Sequence, residues 1–150
     1  MDDCAVCSEL ADRRRSRDLI VLEDELFAAA HLPVPPGETT TYLGHLLVVP
    51  RRHVCAPSAL SDAEAARLGR LIARLSGVLE VGLGAEHVYI LRLGHSWEHF
   101  HIHLVARHPG TPEQYRGLEV EDWHGAPMAD HARLAASVAA MRRLVEARPA

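Results

Sequence analysis

His99-Phe100-His101-Ile102-His103-Leu104-Val105 alternates imidazole and apolar side chains with a period of two. A β-strand sends successive side chains to opposite faces, so a strand here presents three imidazoles on one face and feeds Phe100, Ile102 and Leu104 into a core. Alternate residues of a strand start from Cα atoms about 7 Å apart. Such a row suits two chemistries. His-x-His on a strand can ligate one metal, or one imidazole can act as nucleophile while its neighbours take other roles.

Working outward, four more short apolar runs read as strands between turn-forming residues: Leu19 to Leu22, Leu26 to Leu32, His45 to Val49 and His87 to Leu93. The stretch from Pro33 through the three threonines at 39–41 is a loop by composition. Ser61 and Glu64 have capping-box spacing. The helix they open carries Leu68, Leu71, Ile72, Leu75, Val78 and Leu79 on one face and ends at Gly82 and Gly84. Arg107 to Met128 is long and irregular, the kind of segment that is usually functional or mobile. Leu134, Val138, Met141 and Val145 mark a closing helix from near Asp130.

The 150 residues and 48% apolar content fit one compact domain spanning residues 1–150. A formal charge of −4 without a long basic tract is not the footprint of a nucleic-acid binder, though small anions stay within reach. Arg13, Arg14, Arg15 and Arg17 read as a solvated face. The chain has no lysine, which excludes Schiff-base chemistry and a P-loop, and no asparagine. Histidine is abundant instead, 11 in all, with five between His95 and His108. Met1 to Cys4 shows neither a basic n-region nor a spanning apolar run, so a cytoplasmic location and no membrane partner are expected. Cys4 and Cys7 have the C-x-x-C spacing of a metal knuckle or a redox pair, while Cys55 reads as a small apolar residue of the interior.

The chain resembles the histidine-triad (HIT) superfamily, whose His-φ-His-φ-His-φ-φ signature (φ apolar) is matched by His99 through Val105. Gly44 through His53 looks like the family's strand and turn ending in Pro, two basic residues and His, and Cys4 and Cys7 match the knuckle of many bacterial members. The resemblance covers about residues 4 to 107. It implies an α+β, HIT-like fold with a five-stranded mainly antiparallel sheet and two main helices. It also implies nucleotide hydrolysis or nucleotidyl transfer at the α-phosphorus, in which His101 forms a covalent nucleotidyl intermediate and His103 binds phosphate or protonates the leaving group. A structural zinc on Cys4, Cys7, His53 and His99 is implied too, as is a homodimer to which the helix from Ser61 to Val81 would contribute.

Departures from the family concern the substrate. The position of a ribose-binding Asp is taken by His31, and the phosphate loop, usually rich in Asn and Gln, reads Leu93-Gly94-His95-Ser96-Trp97-Glu98. His95 and Ser96 are the expected substitutes, with Arg92 behind them, and Trp97, Tyr115 and Trp123 are the aromatic rings available to stack on a base. His45 matches a position where a structural hydrogen bond is expected. Two rival readings stand beside the enzyme: a metal-dependent hydrolase using His99, His101 and His103 as ligands, and a zinc-stabilised nucleotide-binding module without turnover.

Overall fold

The computed structural model describes residues 4–11, 17–94 and 97–147. Five strands form one antiparallel sheet: β1 (Ile20–Glu23), β2 (Phe27–His31), β4 (His45–Pro50), β5 (His87–Leu91) and β6 (Ile102–Arg107), in the spatial order β1-β2-β4-β6-β5. A second ladder of two residues each pairs β3 (Thr41–Tyr42) with β7 (Met128–Ala129). The described residues also hold three helices, α1 (Ala5–Ala11), α2 (Asp62–Leu83) and α3 (His131–Ala147), of which the last two are the main ones. This is the α+β architecture expected, with every strand pair antiparallel.

Strand alternation divides the sheet into two faces with different work. Phe27 and Ala29 on β2, Leu46 and Val48 on β4, and Ile102, Leu104 and Ala106 on β6 point to one side. There they meet Leu71, Leu75, Val78 and Leu79 of α2 and Leu134, Val138 and Met141 of α3 in a single core. Burying one such side chain is worth about 1.5–3 kcal/mol, so this helix-covered face holds the fold together. The opposite face carries Ala28, Leu47 and Val49 under Val6 of α1 at one end. At its other end Val105 lies against Tyr42 and Val120.

α2 starts as the sequence dictates, with Glu64 N donating to Ser61 Oγ and Ser61 N to Glu64 Oε2. It runs through Gly82 and stops at Gly84, which adopts a left-handed φ of +67° that favours glycine. Arg52 forks onto Glu64 at 3.1 and 2.8 Å, tying the turn after β4 to the start of α2. Gly44, at φ +102°, turns the chain from β3 into β4 so close to β6 that a Cβ would lie 2.7 Å from that of Ala106.

Several expected boundaries differ. β5 ends at Leu91, and β6 begins at Ile102, so His99, Phe100 and His101 precede the strand. The β4 ladder reaches only Val48↔Ile102; upstream of it Phe100 N donates to the carbonyl of Val54, in the turn region, at 2.6 Å. Cys4 and Cys7 are joined by an unanticipated helix, α1. Residues 108–127 hold turns and one 3-10 turn (Glu113–Tyr115). Cys55 is exposed, because it sits in that same irregular turn outside both layers.

Candidate functional site

The start of α1 brings Cys4 and Cys7 to the turn holding His53 and to His99. Cys7 Sγ lies 3.3 Å from His53 Nδ1 and 3.4 Å from His99 Nδ1, and Cys4 Sγ lies 3.6 Å from His99 Nδ1. All four ligand atoms fall within 4.8 Å of one another. A tetrahedral zinc with the usual bond lengths sets its sulfur and nitrogen ligands about 3.6 Å apart, so the arrangement fits that ion. The tautomer fits as well. His99 Nε2 is 2.9 Å from the Pro50 carbonyl and must donate to it, leaving the Nδ1 lone pair aimed at the two sulfurs. His99 is 1% exposed, and burial, followed by the nearby His53 and His101, pushes its pKa below the ordinary value. A redox pair is the poorer reading of Cys4 and Cys7, given two imidazoles at this range.

His101 sits next in the row with the opposite polarity. Its Nδ1 lies 2.7 Å from the His99 carbonyl, an acceptor only, so Nδ1 carries the proton and Nε2 carries a lone pair. The ring is 5% exposed, with Trp97 and His103 edge-on to it at centroid distances of 5.5 and 5.0 Å. His103 Nδ1 is 2.8 Å from His45 Nε2, and His45 Nδ1 is 2.5 Å from Glu121 Oε1. Burial first, then neighbouring His45 and His101, pushes the pKa of His103 down to about 4. It is therefore neutral near pH 7.

Beside this row lies a mostly apolar cavity of about 290 Å³, at the small end for a ligand site. Ala28, Ala30, Leu47 and Val49 form its floor, Val6 and Leu10 of α1 wall it, and Trp97 stands at the end next to His101. Glu23 and Arg51, ion-paired at 3.3 Å, put charge on its lining.

His31 reaches this cavity, but both of its nitrogens are engaged by backbone: Nδ1 donates to the Leu32 carbonyl at 2.7 Å and Nε2 accepts Gly44 N–H at 2.8 Å. Burial lowers its pKa to about 4. No ring nitrogen is left to grip a ribose hydroxyl. Trp123 does not line the cavity; its indole folds back over Gly125. His95 and Ser96 lie outside the described residues. Trp97 is the aromatic residue that both lines the cavity and meets the His101 ring. The three rings of the row do not converge as one ligand set, because His99 turns to the cysteines, and the Cys2His2 group is the one cluster among the described residues that could hold a metal ion.

The model of the HIT domain matches residues 13–110. The chain belongs to the HIT family. Among solved HIT structures, a hypothetical histidine triad nucleotide-binding protein from Sulfolobus tokodaii superposes with a TM-score of 0.71 at 21% identity, covering 96% of this chain and 93% of that one. A zinc-bound histidine triad family protein from Mycobacterium smegmatis gives 0.68 at 18% identity, covering 97% and 95%. These likenesses are of fold. No curated protein matches the chain. Among the described residues no helix is long and apolar enough to cross a membrane.

Two residues joined to the histidine row have partners that the sequence does not show. His45 was legible as a hydrogen-bonding position but not as the partner of His103. Glu121 had no local signal at all, since it lies 76 positions from His45 in a segment without periodicity.

Proposed function

We propose that this HIT-family chain is a nucleotide hydrolase or nucleotidyl transferase that cleaves a phosphoanhydride or phosphoramidate bond at the α-phosphorus through a nucleotidyl-His101 intermediate. One observation carries the reading: the His99 carbonyl accepts the Nδ1–H of His101, which leaves the lone pair on Nε2, and the ring meets Trp97 at the end of an apolar cavity. A neutral imidazole in that state is a competent nucleophile near pH 7. Nε2 attacks phosphorus, and the bond to the leaving group breaks with its electron pair. The proton stays on Nδ1, still donating to the His99 carbonyl, while the ring becomes cationic. Water or another acceptor then displaces His101. His103 exchanges the proton that the leaving group needs and the acceptor gives up.

Trp97 and the cavity floor would hold the nucleoside, and His95 and Ser96 are assigned to the phosphate oxygens. Cys4, Cys7, His53 and His99 would hold zinc in a closed four-ligand set, a structural role with no open position for substrate. Ligation would fix the ring of His99, whose carbonyl orients His101. A homodimer in the cytoplasm is the proposed working form.

A second reading, nucleotide binding without turnover, draws on His31, whose nitrogens are both engaged by backbone. Quenched intact-mass spectrometry separates the two. Wild-type protein mixed with dinucleoside polyphosphates, nucleoside phosphoramidates or nucleotide sugars should gain one nucleotidyl group transiently, and His101→Ala should not. Nucleotide affinity retained in His101→Ala, with neither adduct nor turnover in the wild type, would establish the binding module instead.

A further inference from the structure

We infer that Glu121 is a positioning residue for the proton transfers at phosphorus: its carboxylate holds His45 Nδ1–H and so fixes which proton His103 can give or take. This rests on the reading of His101 as nucleophile. The geometry is a continuous chain, Glu121 Oε1 to His45 Nδ1 at 2.5 Å and His45 Nε2 to His103 Nδ1 at 2.8 Å, on the sheet face that carries the cavity floor. Val120, 2% exposed and packed with Tyr42 and Val105, anchors the segment that delivers the carboxylate. His45 and Glu121 side chains are 14% and 34% exposed, so the pair is partly withdrawn from water.

A carboxylate can only accept here, which commits His45 Nδ1 to carrying a proton and leaves two states of the chain. In the first, His45 is an imidazolium beside the Glu121 carboxylate, its Nε2–H donates to His103 Nδ1, and neutral His103 carries its proton on Nε2. As the leaving group takes that proton, the proton on His45 Nε2 moves to His103 Nδ1. His45 becomes neutral and His103 Nε2 acquires a lone pair. That lone pair then accepts the proton of the attacking water, and the shift runs backwards. One proton leaves and one returns, and positive charge rests on His45 next to Glu121. His103 can thus serve as an acid near pH 7 without ever becoming cationic, consistent with its lowered pKa. Among the described residues, His31 and Tyr42 also face this pair, and His101 faces His103. His31 is committed to backbone, and the Tyr42 hydroxyl donates to the Ala106 carbonyl at 2.6 Å.

The test varies the leaving group. Glu121→Gln should slow turnover of an adenosine 5′-phosphoramidate with an alkylamine leaving group by about 10²-fold, a typical share for positioned acid catalysis. The same variant should leave the first-turnover release of 4-nitrophenolate from adenosine 5′-(4-nitrophenyl) phosphate nearly unaffected, since nitrophenolate departs without a proton and before water attacks. Glu121→Asp should recover part of the loss. Equal losses on both substrates, or none on either, would overturn the assignment. If the wild type turns over neither, the HIT-enzyme reading fails, and proton-coupled nitrogen NMR of the imidazoles still decides the role of Glu121. A strongly downfield His45 Nδ1–H lost in Glu121→Gln supports it; a signal absent from the wild type or unchanged in the variant refutes it.

Discussion

Acidification should destabilise this protein in part through one buried imidazole, His31. The ring is 2% exposed and neutral, with Nδ1–H on the Leu32 carbonyl and Nε2 accepting Gly44 N–H. A proton on Nε2 would remove that acceptor and leave a charge in the interior, which is why the folded pKa falls to about 4 from 6.5. Because the folded value lies below the unfolded one, the unfolded chain binds the proton first as pH drops. Stability is fully present above pH 6.5 and is lost as pH falls towards 4. Between pH 7.5 and 4.5 the difference integrates to about 2.5 kcal/mol for this residue alone. His31→Gln keeps a donor and an acceptor but cannot titrate. Urea unfolding of both proteins at the two pH values gives a double difference in which His99, His103 and the carboxylates cancel. The wild type should lose about 2.5 kcal/mol more than the variant. Identical losses would refute the reasoning. If His31→Gln instead weakened nucleotide binding at unchanged pH response, a substrate-gripping role would have to be restored.

Three further outcomes follow from the same geometry. Native mass spectrometry should find one zinc per chain, and Cys7→Ser should lose it with a drop in Tm of at least several degrees, given apparent structural-zinc energies of about 10–16 kcal/mol. Ala30→Leu, on the cavity floor, should raise the Kd for nucleotides about tenfold or more while leaving Tm within a few degrees, since the added methylenes occupy ligand space rather than the helix-covered core. Ser61→Ala removes one half of the capping box and should cost about 1 kcal/mol in chemical denaturation without altering turnover.

What was readable beforehand was whatever rests on local period or local chemistry. The capping box of α2, the αL stop at Gly84 and the inward set Phe100, Ile102 and Leu104 all follow from neighbours in sequence. Alternation points to a strand from His99, three residues before β6 begins, because the pattern continues upstream whereas the backbone there is spent on Val54 and on the His101 ring. The two-residue ladder of β3 and β7 is too short to leave a pattern and depends on chain closure between residues 41 and 129. His31 was read from its position in the family's pattern, but its role is set by Gly44, 13 residues away, across a turn the sequence shows only as a loop. Glu121 is the extreme case. An acidic residue in an irregular segment carries no meaning until the fold lays that segment across the sheet.

The alternation along β6 also binds the candidate site to chain length. Leu104 pairs with Leu46 on the helix-covered side, and His103 pairs with Leu47 on the side of the cavity. Because the side-chain period is two, one residue inserted or deleted within β6 exchanges these roles, sending an imidazole among the leucines and a leucine to the cavity face. Point substitutions on the cavity side can tune what is bound and leave the core untouched. Frame-preserving insertions in β6 cannot: a single event removes both the imidazole of the cavity face and the packing that holds it, so length variation in descendants of this chain should accumulate in the loops and spare this strand.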